Sequence, residues 1–249
     1  MSALDVVVVV LAGVAAGTIN TVVGSGTLIT FPVLLAVGYS PLVANVSNTI
    51  GLVPGSVAGA IGYRRELAGQ ERRIVRLGLA ALLGGATGAV LLLVLPEKAF
   101  KAIVPVFIAI ALVLILLQPR ISAHLAQRRE EPVEHRRVSA VATYLTGIYG
   151  GYFGAAQGIM LLAVLGVALP EPLQRVNGLK NVLAGLVNLI ASVVFVFRAP
   201  VAWAPALLIA GGSMLGGVLG ARYGRRLSPV ALRGLIVVVG LVAIAQLLF

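Results

Sequence analysis

The sequence predicts an all-α integral membrane protein built of two inverted repeats, each an interrupted, re-entrant-like helical hairpin followed by three transmembrane helices. Three observations carry that expectation. Of the 249 residues, 59% are hydrophobic and 11% are charged, against about 25% charged in soluble chains, and uncharged stretches of bilayer-spanning length fill most of the chain. Two of those stretches are too long for one span and are broken by glycines at matching places. The basic residues sit in short gaps between apolar blocks, and they segregate to one face only if each overlong block returns to the side from which it entered.

The composition excludes several classes at once. A soluble domain would carry more charge, and a disulfide scaffold is impossible without cysteine. Thiolate metal sites and catalytic thiols fall with it. The net charge of +11 does not point to nucleic acid, because the arginines and lysines are confined to gaps, as in the loops of membrane proteins. No cofactor is implied. The expected partners are a small anionic substrate and the lipid bilayer, and a homo-oligomer is left open.

Element by element, the apolar blocks are Ala3–Val37, Pro41–Tyr63, Ile74–Pro96, Ala102–Gln118, Val138–Pro170, Val176–Phe197, Val201–Ala221 and Leu235–Phe249. Met1–Val23 lacks a basic start and runs on into further apolar sequence, so it does not read as a cleaved signal peptide. Ala3–Val37 is interrupted by Gly24-Ser25-Gly26, and Val138–Pro170 by Gly150-Gly151 and Gly154–Gly158. Backbone that unwinds at membrane depth survives only where protein or a water-filled cavity satisfies it. The chain is expected to form a single membrane domain over 1–249, with repeat one at 3–118, a charged cytoplasmic loop at 119–137 and repeat two at 138–249.

The repeat is visible at a period of about 130 residues. Gly13-x3-Gly17-x6-Gly24 is echoed by Gly147-x3-Gly151-x6-Gly158. Pro41-Leu42 pairs with Pro172-Leu173, Asn45 with Asn177, Asn48 with Lys180 and Ser56 with Asn188. Charge sets the orientation. If each overlong block is a hairpin, one face collects Arg64, Arg65, Arg72, Arg73 and Arg76, the arginines of the 119–137 loop, and Arg222, Arg225, Arg226 and Arg233; Lys98, Lys101 and Arg198 fall on the other. That arrangement obeys the positive-inside rule better than eight single crossings. It inverts the repeats and puts both termini outside, in a multi-pass membrane protein.

Interrupted segments at matching places in two halves are the best sequence pointer to a transporter's binding site. In the first, unwinding at Gly24–Gly26 leaves the N–H groups of the next half-helix free, with its positive dipole end behind them, which suits an anion. Asn20, Thr21, Gly24, Ser25 and Gly26 are the candidates there. Gly13 and Gly17 read instead as close-approach positions between helices. The second interruption offers Gln157 and Gly158, with Tyr149 and Tyr152 nearby; Tyr149 fits an interfacial anchor equally well. On the helices that follow, Asn45 and Asn48, and likewise Asn177 and Lys180, are three apart and share a face; Asn181 is a further candidate there. A lysine at the bilayer centre costs about 2.5–3.5 kcal/mol unless it is solvated or paired. No carboxylate in the neighbouring apolar blocks can pair with Lys180, whereas an anionic ligand would; the alternative is that Lys180 snorkels to the interface.

All eight acids lie at block ends or in gaps, which argues against a cation channel or a carboxylate-driven pump. His124 and His135 belong to the charged loop. Ser25 lacks a buried His or Asp to activate it, so an intramembrane hydrolase is poorly supported, and no catalytic or metal residue is assigned.

At these residues the chain resembles the sulfite exporter TauE/SafE family, also called the toluene sulfonate uptake permease family. The resemblance is carried by Ala-Gly-x3-Gly-x2-Asn-Thr-x2-Gly-x-Gly from Ala12, Gly38-Tyr39-Ser40-Pro41-Leu42-Val43-Ala44-Asn45, Pro54-Gly55-Ser56-x2-Gly59 and Tyr63-Arg64-Arg65-Glu66-Leu67. In the second half it is carried by Arg175-Val176-Asn177-Gly178-Leu179-Lys180-Asn181 and Asn188. It implies a bacterial or archaeal inner-membrane carrier, not an enzyme, with members linked to sulfite, sulfonates and other small anions. The family is usually described with seven or eight helices, whereas the charge distribution favours two re-entrant hairpins. The expected function is secondary transport of a small oxyanion such as sulfite or an organosulfonate by alternating access, the anion held between the two broken hairpins. An anion-selective channel, a carrier of another small organic anion and, more remotely, an intramembrane enzyme are the alternatives.

Overall fold

The structure is a computed structural model that describes residues 1–127, 134–224 and 229–248. The centre of the charged loop at 128–133, Arg225, Arg226 and residue 249 lie outside the described residues. The elements are α1 (Ala3–Val22), α2 (Thr27–Ala36), α3 (Pro41–Gly62), α4 (Arg64–Leu67), α5 (Glu71–Val94), α6 (Glu97–Gln127), α7 (Arg136–Tyr152), α8 (Gln157–Ala168), α9 (Leu173–Arg198), α10 (Trp203–Tyr223) and α11 (Pro229–Leu248). Among the described residues there is no strand. Helices α1, α5, α9 and α10, with Lys98–Leu125 of α6, are long and apolar enough to cross a bilayer. Their outward leucines, valines and phenylalanine, such as Leu79, Leu83, Leu207 and Phe197, suit contact with lipid.

Both overlong blocks are broken as expected, and the breaks share one construction. The N–H groups of Val23 and Gly24 both donate to Ile19 O, at 2.7 and 3.0 Å, and Phe153 and Gly154 do the same to Tyr149 O at 2.9 and 3.1 Å. The donor of the six-to-one bond then turns the chain out of the helix with a positive φ, Gly24 at 92° and Gly154 at 77°, a conformation glycine adopts without strain. The glycine spacing in the sequence matches Gly24 to Gly158, but the residue with the same backbone task is Gly154. Gly158 lies beyond the turn, inside α8. A second departure is at α6, which continues through Pro119 to Gln127, so that the first part of the strip assigned to the charged loop is helical.

Glycine decides which helices meet. A Cβ on Gly13 or Gly17 would press on the backbone of Ile209, Gly212 or Ser213, and one on Gly212 or Gly216 on that of Val10, Val14 or Thr18. α1 and α10 therefore touch backbone to backbone, the close packing expected of Gly13 and Gly17. A Cβ on Gly84 or Gly88 of α5 would likewise press on the backbone of Tyr144, Gly147, Ile148 or Tyr152 of α7, one on Gly151 on that of Gly85, and one on Gly85 on Val187 of α9. Hydroxyls reinforce the first seam: Thr18 Oγ1 donates to Gly216 O at 3.1 Å, and Ser213 Oγ to Gly51 O of α3 at 2.7 Å.

The result is an exchange of partners. The helices α1 and α3 pack on α10 and α2 on α11, while α7 and α9 pack on α5 and α8 on α6. Each hairpin thus leans on helices from the opposite half of the sequence. The two groups meet along α3–α9 and α6–α11.

One end of the α5–α7–α9 group carries a charge network. Arg73 Nε lies 3.1 Å from Glu134, and its Nη1 pairs with Glu171; Arg76 pairs with Glu134, and Arg175 Nε lies 2.6 Å from Glu171. Burial alone would raise both carboxyls, but the hydrogen bonds from Arg76 and Arg73 to Glu134, and from Arg73 and Arg175 to Glu171, outweigh it and hold both below the usual range.

Two outcomes follow from this packing. Gly216→Ala should lower the thermal midpoint through an overpacking cost of about 1–3 kcal/mol, whereas Gly211→Ala, where a Cβ meets nothing within 4 Å, should be silent; equal midpoints would refute the backbone contact. Because the folded-state pKa values of Glu134 and Glu171 are depressed, their contribution is complete above the ordinary value of 4.5 and is lost as the pH falls through the lower folded values. Unfolding followed between pH 6 and pH 3 should show that loss, and it should shrink in the Glu134→Gln, Glu171→Gln double variant.

Candidate functional site

A helix that ends inside a protein leaves its last four carbonyls and first four N–H groups without intrahelical partners. The candidate site is the set of side chains that answers this problem at the two turns. At the end of α1, Lys180 Nζ donates to Asn20 O at 3.1 Å and to Thr21 O at 3.2 Å. Asn181 Nδ2 and Asn177 Nδ2 also reach Thr21 O, at 3.3 and 3.5 Å. Lys180 is 1% exposed, so it does not snorkel. Its ammonium sits at the negative end of the α1 dipole, where a cation is favoured. The sequence offered no carboxylate for Lys180, and the structure gives it backbone carbonyls instead.

The other turn is served from α3. Asn45 Nδ2 donates to Tyr152 O at 3.0 Å, at the end of α7, as Asn177 Nδ2 reaches Thr21 O near the end of α1. Asn48 and Lys180 do not correspond in this way. Asn48 Nδ2 donates to Thr27 Oγ1 at 3.3 Å, and its Oδ1 accepts from Thr30, which commits it to the start of α2. Thr27 and Thr30 were missed in the sequence, although their three-residue spacing puts both on one face of the short helix. Asn20 turns to Ser56, with Nδ2 3.3 Å from its Oγ, and the hydroxyl of Thr21 is taken by Gly17 O at 2.9 Å. Thr21 therefore contributes its carbonyl to the site rather than its side chain. Tyr149 is neither anchor nor ligand here: its hydroxyl donates to Ala155 O at 2.5 Å and its ring packs edge-on against Phe107.

The turns meet. Gly158 N–H donates to Gly24 O at 3.0 Å, and a Cβ on either glycine would strike the other's backbone. Beside this contact lie polar atoms without partners: Ser25 Oγ, Gln157 Nε2, Asn45 Oδ1 and Asn177 Oδ1 are buried and unsatisfied. The N–H groups of Ser25, Gly26 and Thr27, which open α2, find no acceptor among the described residues. Unsatisfied buried groups cost about 1–3 kcal/mol each, so each of them needs a reason. The open cleft, of about 530 Å³, is elsewhere, at the arginine-rich end between Arg72, Arg73, Arg76, Arg136, Glu134 and Glu171.

Among the described residues no cluster of His, Cys, Asp or Glu is placed to hold a metal ion. The arrangement offers donors, one cation and helix dipoles, together with two unpaired amide oxygens.

The chain is 26% identical over 235 residues to the probable membrane transporter protein YfcA of Escherichia coli strain K12, covering 94% of this chain and 86% of that one. It is 25% identical over 241 residues to a probable membrane transporter protein of Haemophilus influenzae, covering 95% and 92%. It is 29% identical over 240 residues to the probable membrane transporter protein ORF9 of a Sinorhizobium species, covering 94% and 88%. No solved structure matches at a significant level. The family model described as Sulfite exporter TauE/SafE matches residues 9–247, almost the whole of a multi-pass helical chain, and the protein belongs to that family of membrane transporters, not to the enzymes.

Proposed function

We propose that this protein is a secondary transporter of a small oxyanion, sulfite or an organosulfonate, working by alternating access in the inner membrane. The two halves are inverted repeats with re-entrant hairpins, the arginine-rich face is cytoplasmic and both termini are outside. The observation that carries the reading is the closure of two broken-helix turns on each other, Gly158 N–H on Gly24 O, beside buried donors that have nothing to bind.

In this reading the closed turns are the empty state, with the Gly158 N–H occupied by Gly24 O. Parting them frees Gly158 N–H and admits an anion among Ser25 Oγ, Gln157 Nε2 and the N–H groups of Ser25, Gly26 and Thr27. Lys180 supplies the counter-charge by exchanging one of its carbonyl acceptors for the anion. Asn177 and Asn181 keep hold of Thr21 O, so α1 is not released altogether. Asn20, Asn45 and Asn48 support the turns and Thr21 offers its carbonyl; none of these is a direct ligand in the closed state. Fixed dipoles and neutral hydrogen bonds bind without trapping, which a carrier requires. The exchange of helices changes what rocks. The moving bodies are the α1–α3–α10 and α5–α7–α9 groups rather than the two sequence halves, and the turns, Lys180 and Asn45 lie on the boundary between them.

The detergent-purified protein, heated in the presence of sulfite, sulfate, thiosulfate, a sulfonate or a carboxylate, should be stabilised selectively, by about 2.7 kcal/mol at a hundred times Kd; a flat response to all of them would count against an oxyanion ligand. Lys180→Gln keeps an N–H donor near Thr21 O but no charge. It should insert and fold, yet lose about tenfold or more in sulfite flux, equivalent to about 1.4 kcal/mol; undiminished flux removes the counter-charge role. A cysteine introduced at Arg198 should react with an impermeant reagent from outside the cell, and protection there would reverse the orientation.

A further inference from the structure

Glu134 stands just before α7 and Glu171 just after α8, so these carboxylates mark the two feet of the second hairpin. The feet are close, with His135 N–H donating to Ala168 O at 3.1 Å. Arg73, on α5, is the residue common to both ion pairs, through Nε to Glu134 and Nη1 to Glu171. The remaining partners divide unevenly. Glu134 has a second arginine on α5, Arg76. The second arginine of Glu171 is Arg175, on α9, four residues away along its own chain. The α8 foot is therefore ionically tied to α5 through Arg73. The first hairpin has no counterpart: residues 1–40 contain no Lys or Arg, and Asp5 is their one acid.

We propose that Arg73 is a positioning residue that clamps both feet of the second hairpin to α5, making α5, α7, α8 and α9 one body although α5 comes from the opposite half of the sequence. The planar guanidinium presents donors along two edges and so serves two carboxylates at once, which a lysine ammonium does poorly. All three side chains are largely shielded, at 16–18% exposure, which limits screening by salt. The clamp sets where the second turn stands, and hence whether Gly158 meets Gly24. It does not depend on which anion is carried.

The absence of native cysteine allows paired spin labels on lipid-facing positions that are exposed in the fold. One pair is Leu79 on α5 with Val167 on α8, a second is Leu79 with Val138 on α7, and a control is Leu11 on α1 with Leu215 on α10. Arg73→Ala should broaden the Leu79–Val167 distance distribution most, the Leu79–Val138 distribution less because Arg76 still holds Glu134, and the control not at all. Arg73→Lys should fall between wild type and Arg73→Ala. Glu171→Gln should reproduce the Arg73→Ala broadening and add nothing to it. An unchanged Leu79–Val167 distance, or equal broadening of all three pairs, overturns the proposal. Should Arg73→Ala fail to fold, Glu171→Gln alone decides by the same ordering.

Discussion

Everything in this fold turns on the cost of ending a helix where there is no water. The last carbonyls of α1 and α7 have lost their own N–H partners, and in an apolar setting each must be met by another donor. The protein meets them from the helix that follows the hairpin of the opposite half: Asn177, Lys180 and Asn181 of α9 at α1, and Asn45 of α3 at α7. The α3–α9 pair is central for that reason. It carries the groups that make both breaks tolerable.

Glycine works at two levels here. At Gly24 and Gly154 the need is conformational, a positive φ that closes the turn. Along α1, α5, α7 and α10 the need is spatial, because side chains would hold the backbones apart. Where helices lack a hydrophobic force to bring them together, close backbone contact and the occasional hydroxyl bond, such as Ser213 to Gly51 O, supply the association. The charge network around Arg73 adds an electrostatic tie at one end of one group, outside the apolar layer.

Much of this was legible in the residues. Overlong blocks with internal glycine located both breaks, and Asn177, Lys180 and Asn181, polar residues inside an apolar block, are the side chains that reach the end of α1. What sequence did not disclose was their partners. Lys180 lacks a carboxylate because it uses backbone carbonyls, and these leave no mark in a sequence. Spacing matched Gly24 to Gly158 because glycines chosen for torsion and for proximity look alike in one-letter code. Small-x3-small patterns mark a seam without saying which helix lies across it, so the exchange of α5 and α10 between halves was invisible. Pro119 suggested a boundary, but a proline removes one hydrogen bond and the Ala, Leu, Gln and Arg that follow sustain a helix.

The exchanged packing has a consequence for biogenesis. α1 leaves the ribosome well before α10, on which its glycine face closes. Lys180, which tidies the end of α1, also emerges late. The leading hairpin must therefore wait in the bilayer with its seam unfilled and its carbonyls bare until most of the polypeptide has been made. Contacts so distant along the chain form slowly and leave intermediates open to wrong partners. A truncation near the C-terminus would accordingly be felt first at the opposite end, as a proteolytically exposed first hairpin rather than a merely shortened protein.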